Sequence, residues 1–272
     1  MVKEFILDGQ QYRINSDGSS VTVTGSEKDF IEALIISPWV QYNGKNYKVT
    51  KIGESAFEDC VGLTTVKIPG SVTEIGKNAF AGCSGLTSIV VDSENAIYDF
   101  RDNCQAIIET ATNTLIVGCR NTVIPHSVTE IAGMAFCYST GLNSVRIPES
   151  VTEISNLAFC GCSGLASIIV ERGNARYDSR NNCNAIIESS TNTLIAGCKN
   201  TMIPDSVTEI ADFAFYGHCD LTSIVIPDSV TKIGGWAFAG CEGLKSVVIP
   251  DSMAWMGPCA FSGAPWERKG RK

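Results

Sequence analysis

One phrase recurs six times in this chain, and its spacing limits the fold more than any other property of the sequence. "VTKIGESAFEDCVGLTTVKIP" begins at Val49, "VTEIGKNAFAGCSGLTSIVV" at Val72 and "VTEIAGMAFCYSTGLNSVRIP" at Val128. It returns as "VTEISNLAFCGCSGLASIIV" at Val151, "VTEIADFAFYGHCDLTSIVIP" at Val207 and "VTKIGGWAFAGCEGLKSVVIP" at Val230. The intervals are 23, 56, 23, 56 and 23 residues, so a 33-residue unit is inserted after the second and fourth copies. The two inserts resemble each other closely, which makes a duplicated 79-residue block: "GCRNTVIPHSVTEIAGMAF" from Gly118 is rewritten as "GCKNTMIPDSVTEIADFAF" from Gly197. A 23-residue unit has too few apolar side chains to enclose a core alone, so neighbouring units must share one. The period predicts a solenoid.

Within a unit, "LTSIVIP" (Leu221 to Pro227) is rich in β-branched residues and closes at proline, which predicts a short parallel strand. "VTEI" predicts a second extended piece, and "xxAFxGCxG" one helical or 3₁₀ turn ending at glycine. Ahead of the repeats, "FILDGQQYRI" and "SSVTVTG" predict strands around an Asp8-Gly9 turn, and "VQYNGKNYKVTKIG" a hairpin at Asn43-Gly44. This segment would cap the first coil. "SMAWMGPCAFSGAPW" is a degraded seventh copy, and Pro258 and Pro265 are expected to end the pairing there.

The phrase "IPxSVTxIGxxAFxGCxGLTSI" resembles the BspA-like class of bacterial leucine-rich repeats, from about Lys45 to Gly263. The 33-residue inserts are longer than the family unit. The resemblance implies an α/β fold: a curved, right-handed leucine-rich-repeat solenoid with short parallel strands, short helical or 3₁₀ turns and a small β cap at the N-terminus. The expected divisions are a cap over 1–45, a solenoid over 46–263 with long units at about 92–126 and 171–205, and a basic tail over 264–272. The resemblance further implies a cell-surface or secreted location and a role in adhesion or host-protein binding.

A formal net charge of −8 argues against a phosphate-binding surface, because nucleic-acid binders need clustered Lys and Arg. Arg268, Lys269, Arg271 and Lys272 form the only basic run and are read as a solvated tail. "FIEALIISPWV" (Phe30 to Val40) contains Glu32 and Pro38 and is too short to span a bilayer. Met1 to Gln10 lacks the pattern of a secretory signal, so either the protein is cytoplasmic or a leader has been removed.

Twelve cysteines invite a metal or disulfide reading. The column three residues after each repeat Phe reads Cys60, Cys83, Ser139, Cys162, His218, Cys241, Ala264, and replacement by Ser or Ala fits a small buried filler better than a ligand. No metal site and no cofactor are expected. If each insert folds as a hairpin, Cys104 faces Cys119 and Cys183 faces Cys198, leaving a cross-strand disulfide in each insert open. Cys137 and Cys160, in a column shared with Glu58 and Tyr216, are read as the exposed thiols.

No GxSxG, HExxH, P-loop or dinucleotide fingerprint occurs, and His126 and His218 both sit at repeat-equivalent positions, so no catalytic residue is assigned. "YDFRDNC" (Tyr98 to Cys104) could suggest calcium, but Asp102 becomes Asn181 in the second insert. The enzymatic alternative would centre on Asp99 and Arg101, or on Asp178 and Arg180.

Period-two alternation turns two columns of each strand outward. One is a hydroxyl and amide ladder that includes Ser144, Ser167 and Ser223; the other is Lys67, Val90, Val123, Arg146, Ile169, Met202, Val225 and Val248. A further column two residues before each repeat Phe grows bulky along the chain, with Met134, Leu157, Phe213 and Trp236, as if something covered it. These columns point to a non-catalytic scaffold that binds a protein in preference to a glycan, since the strand columns carry no aromatic ring. A structural spacer or surface-layer protein is the alternative.

Overall fold

The computed structural model describes residues 3–27, 32–265 and 267–269. The chain divides into two compact units, Met1–Thr122 and Val123–Lys272.

In the first unit, β1 (Glu4–Leu7) and β2 (Gln10–Ile14) form a hairpin whose turn residues, Asp8 and Gly9, have φ of 51° and 78°. Both angles lie in the left-handed region that a type I′ turn requires. β3 (Ser20–Ser26) continues this sheet, β4 (Ala33–Ile35) stands apart, and β5 (Trp39–Tyr42) turns at Asn43-Gly44 into β6 (Lys45–Ile52). β6 lies parallel to β3 on one side and to β8 (Glu74–Ile75), the next "VTEI", on the other, so one strand joins the cap to the first coil. On the opposite side of each coil, β4, β7 (Thr65–Ile68) and β9 (Ser88–Val91) run parallel. The first insert adds β10 (Tyr98–Asp99), β11 (Ala106–Glu109) and β12 (Thr114–Gly118), paired antiparallel. Leu63, Val66, Leu86, Ile89 and Val91 share the core of this unit with Val21, Leu34 and Phe57.

The second unit repeats the scheme. The "VTEI" strands β13 (Glu130–Ile131) and β15 (Glu153–Ile154) pair in parallel, as do the coil strands β14 (Ser144–Ile147) and β16 (Ser167–Val170). The second insert supplies β17 (Tyr177–Asp178), β18 (Ile186–Glu188) and β19 (Thr193–Ala196). From β19 the sheet continues in parallel through β20 (Glu209–Ile210), β22 (Lys232–Ile233) and β24 (Trp255–Met256). Across the coils, β21 (Ser223–Val225), β23 (Ser246–Val248) and β25 (Glu267–Lys269) form a second parallel sheet.

Three expectations are corrected here. The chain is almost purely strand and turn: no α-helix occurs among the described residues, and 3₁₀ structure is confined to Arg101–Asn103 and Arg180–Asn182 in the inserts. The "AF" segments are single turns because a left-handed residue stands at each end, as Leu157 (φ 64°) and Gly161 (φ 64°) do around Phe159. A helix cannot propagate through either position. The basic tail is only partly a tail, because Glu267 to Lys269 pair with Ser246 to Val248; Arg271 and Lys272 lie outside the described residues. Pro265 does not end the pairing, since it precedes the strand and has no ladder amide to lose.

Turns 23 residues apart are tied by the same set of bonds. The Phe amide donates to an alanine carbonyl one coil on: Phe57 to Ala79 at 2.9 Å, Phe136 to Ala158 at 2.9 Å, Phe215 to Ala237 at 2.7 Å and Phe238 to Ala260 at 2.7 Å. The Phe carbonyl accepts from the small-residue column, with Cys83 Sγ to Phe57 O at 3.1 Å, Cys162 Sγ to Phe136 O at 3.0 Å and Cys241 Sγ to Phe215 O at 3.0 Å. At His218 the same column holds an imidazole, which the Phe159 backbone favours in its protonated form. At Cys83, Cys162 and Cys241 the column thus supplies a donor as well as a small volume. The rings stack, with centroids 5.2 Å apart for Phe136 and Phe159 and 4.8 Å for Phe215 and Phe238.

Burial pushes the thiols of Cys83, Cys162 and Cys241 up to about 12, which keeps them protonated and inert. Cys104, Cys119, Cys183 and Cys198 are buried free thiols. A bulge at Ile107/Ile108, and its counterpart at Ile186/Ile187, shifts each hairpin register before the cysteines are reached, and Cys119 Sγ instead donates to Gln105 O at 3.3 Å. Cys137 and Cys160 overturn their reading as exposed thiols: both are buried, their Cα atoms stand 4.9 Å apart in adjacent coils, and they are joined as a disulfide. Exposed Glu58 misled the column argument, because the polar end of a column says little about its apolar members.

Candidate partner-binding face

Alternation along each strand places the two outward columns where the sequence puts them. Leu142, Val145, Ile147, Leu165, Ile168 and Val170 are buried, while Arg146 and Ile169, cross-strand neighbours on β14 and β16, face solvent. In the first unit Lys67 is exposed and Val90 half-buried, and β4 adds Ile35 in register with Lys67. Ile35 is 59% exposed and was missed, since its strand precedes the repeats and carries none of their phrase; the β-branched run "EALII" was the available signal. In the second unit Val123, Met202 and Val225 are 73%, 65% and 59% exposed, and Val248 is half-buried. Ser144 and Ser223 are exposed beside them, and Ser167 is half-buried.

The strand face is interrupted at the second insert. β16 ends one sheet and β21 begins another, with no strand between them. The chain there, around Thr201 to Asp205, is held by the insert: Met202 N–H donates to Cys183 O at 3.0 Å and the Thr201 hydroxyl to Asn184 O at 2.7 Å. Beside it opens a cleft of about 340 Å³, bordered by Met202, Ile203, Asp205, Ser223, Val225 and Pro227. Near the first strand of this unit, Arg146 and His126 both face Glu171, at 4.0 and 3.6 Å.

The bulky column has a geometry that residue type alone did not disclose. Ser55, Asn78, Met134, Leu157, Phe213, Trp236 and Cys259 all have φ between 51° and 64°. Such a position admits unbranched and aromatic side chains and penalises Val, Ile and Thr. Leu157 and Phe213 are half-buried and border a cavity of about 180 Å³ with Ile195 and Ala196 of the second insert, so the insert covers part of this column. Arg176 lines the same cavity, ion-paired to Glu153 and, at 3.0 Å, to Glu188. Trp236 stays 40% exposed, its ring tilted against Tyr216 with centroids 6.5 Å apart.

In each insert loop the Asp–Arg pair is held in a closed hydrogen-bond network. Arg101 clamps Asp99 through Nε at 2.8 Å and Nη2 at 2.5 Å, Thr110 donates to the same carboxylate at 3.0 Å, and Arg101 Nη1 is bound to Asn113 at 2.7 Å. Asp178, Arg180, Ser189 and Asn192 repeat this network. Burial opposes ionisation of Asp99 and Asp178, but the arginine hydrogen bonds outweigh it and hold both carboxyls below the ordinary aspartate range. A cavity of about 360 Å³ adjoins Asp99 and Arg101, yet both side chains are committed to each other. Among the described residues no cluster of three His, Cys, Asp or Glu side chains could hold a metal ion, and no helix is long and apolar enough to cross a membrane.

Stacked 23-residue turns, each with a short outward-facing strand, define a leucine-rich-repeat protein. Residues 44–114, 116–193 and 192–267 match the BspA type leucine rich repeat region in six copies, and the chain belongs to that family. It is similar to a leucine rich cell surface protein of Faecalibacterium prausnitzii, at 25% identity over 97% of this chain and 87% of that one, with a TM-score of 0.47. A leucine-rich repeat protein of Bacteroides ovatus is 19% identical over 98% of this chain and all of that one, with a TM-score of 0.45. A leucine rich repeat protein of T. pallidum is 24% identical over 89% and 91%, with a TM-score of 0.40. No curated protein matches the chain.

Proposed function

We propose that this protein is a non-catalytic scaffold that binds a partner protein through its outward strand face, working as a cell-surface or secreted adhesion module. The carrying observation is the set of exposed apolar side chains Ile169, Met202 and Val225, of which Ile169 and Val225 stand on strands whose alternate residues, Ile168, Val170, Ile224 and Ile226, are buried. Solvated strands gain nothing from such residues at successive coils, whereas a partner that dries them gains about 25 cal/mol per Å². Arg146 adds a cation at the rim, the residue type that most often anchors interfaces. The saturated Asp–Arg networks of the inserts support a structural role for the loops, and the Cys137–Cys160 disulfide supports residence in an oxidising compartment.

The test is capture of proteins from host and bacterial surface extracts by the intact chain, compared with a variant carrying Arg146→Glu and Ile169→Asp. A loss of capture with an unchanged thermal melt is expected. Capture that survives both changes overturns the strand-face reading and favours a spacer.

A further inference from the structure

The break in the strand face has a consequence for the kind of partner it takes. In a parallel ladder, successive amides of one strand point alternately to its two neighbours. β21 has a neighbour on one side only, β23, and Ile226 N–H just past its end donates to Val248 O at 3.0 Å. The amides of Ser223 and Val225 therefore point the other way, into the cleft. In uninterrupted coils the equivalent amide is taken by the preceding coil: Ser88 N–H donates to Thr64 O at 3.1 Å and Ser167 N–H to Asn143 O at 3.3 Å. At Ser223 and Val225 no such acceptor is present among the described residues, because the insert has drawn the Thr201 to Asp205 chain toward Cys183 and Asn184.

We infer that this edge receives an extended segment of the partner protein, whose backbone carbonyls accept from the Ser223 and Val225 amides while one of its apolar side chains enters the cleft. This rests on the strand-face reading above and specifies its central contact. Unmet donors on a strand edge are the defining feature of strand addition, in which the main chain supplies affinity and pockets for alternate side chains supply selectivity. The cleft, at about 340 Å³, is of a size for one large side chain, and Met202 and Val225 offer it apolar walls. Asp205 at the border and the net charge of −8 favour a segment with Lys or Arg beside the inserted residue.

The probe is a set of short fluorescent peptides alternating Val or Ile with Lys or Thr, titrated against the full chain by fluorescence polarisation. Amide exchange is followed by NMR alongside. In the free protein the Ser223 and Val225 amides should exchange faster than that of Ile226, and a bound peptide should slow them. Val225→Pro removes the donor, and Met202→Trp fills the cleft without touching the backbone; each should weaken peptide binding about tenfold or more with the fold intact. The inference is overturned if the two amides are already as protected as that of Ile226, if no peptide binds, or if neither variant weakens binding. Should Arg146→Glu with Ile169→Asp abolish partner capture while Val225→Pro and Met202→Trp leave it unchanged, edge pairing fails and the strand-face reading stands. Should none of these changes reduce capture, both fail.

Discussion

His218 is the residue at which the repeat's own chemistry becomes sensitive to acid. It occupies a column otherwise filled by Cys, Ser or Ala, is 1% exposed, and its Nδ1 has no hydrogen-bond partner among the described residues. Burial lowers its pKa from 6.5 to about 4, against the opposing pull of the Phe159 backbone and Asp220. The unfolded chain takes up a proton near pH 6.5 while the folded chain resists it. His218 thus leaves stability intact above pH 6.5 and withdraws roughly 3 kcal/mol as the pH falls to 4. Replacing it with Cys, the usual residue of the column, should flatten that dependence. Melting temperatures of both proteins at pH 7 and pH 4.5 would show it, and equal acid shifts would refute the account. Nothing in the sequence marked this histidine as more than a filler, because an unpartnered ring nitrogen is a property of its surroundings.

At the scale of the element, the turn is set by what lies at its two ends. At Gly161, with φ of 64°, an added Cβ would stand 2.2 Å from the ring of Tyr138 and force that ring to move. The glycine thus follows from its neighbour one coil back. The Cys137–Cys160 disulfide staples the same pair of turns across 23 residues, a loop for which chain entropy gives about 3 kcal/mol. Cys137→Ser should lower the melting temperature, and reductant should lower that of the wild type to the same value; a melt unaffected by either would remove the staple from the account. The strands, the "VTEI" pieces and both Gly-containing hairpin turns were legible, because period-two burial and left-handed turn residues write themselves locally. The helical turn and the disulfide were not. Both depend on how one coil lies against the next, which a repeat column describes only on average.

For the molecule as a whole, the spacing of 23 and 56 residues sufficed to give shared cores and short parallel strands, because a unit this small has no alternative way to bury Leu, Ile and Phe. The candidate face was half legible. Its columns followed from alternation, but the cleft beside β21 arises from the insert's own hydrogen bonds, and Ile35 from a strand outside the repeat. At the C-terminal end, Phe238 stacks on Phe261 and β23 pairs with β25, so the last copy closes the second unit. Deleting residues 253–272 should expose that ring and a bare strand edge, lowering the melting temperature and raising aggregation in light scattering. A truncated chain that melts and scatters like the full one would show that the closing copy is dispensable.

The left-handed column has an implication for how such a protein can change. Because Met134, Leu157, Phe213 and Trp236 share one backbone conformation with Ser55 and Asn78, a new side chain at any of these places leaves the path of the coil alone. Size and polarity are free to vary there from coil to coil, and only branching at Cβ is barred. The ridge is a set of interchangeable sockets, at which one edge of this surface can be rewritten while the stack beneath it stays the same.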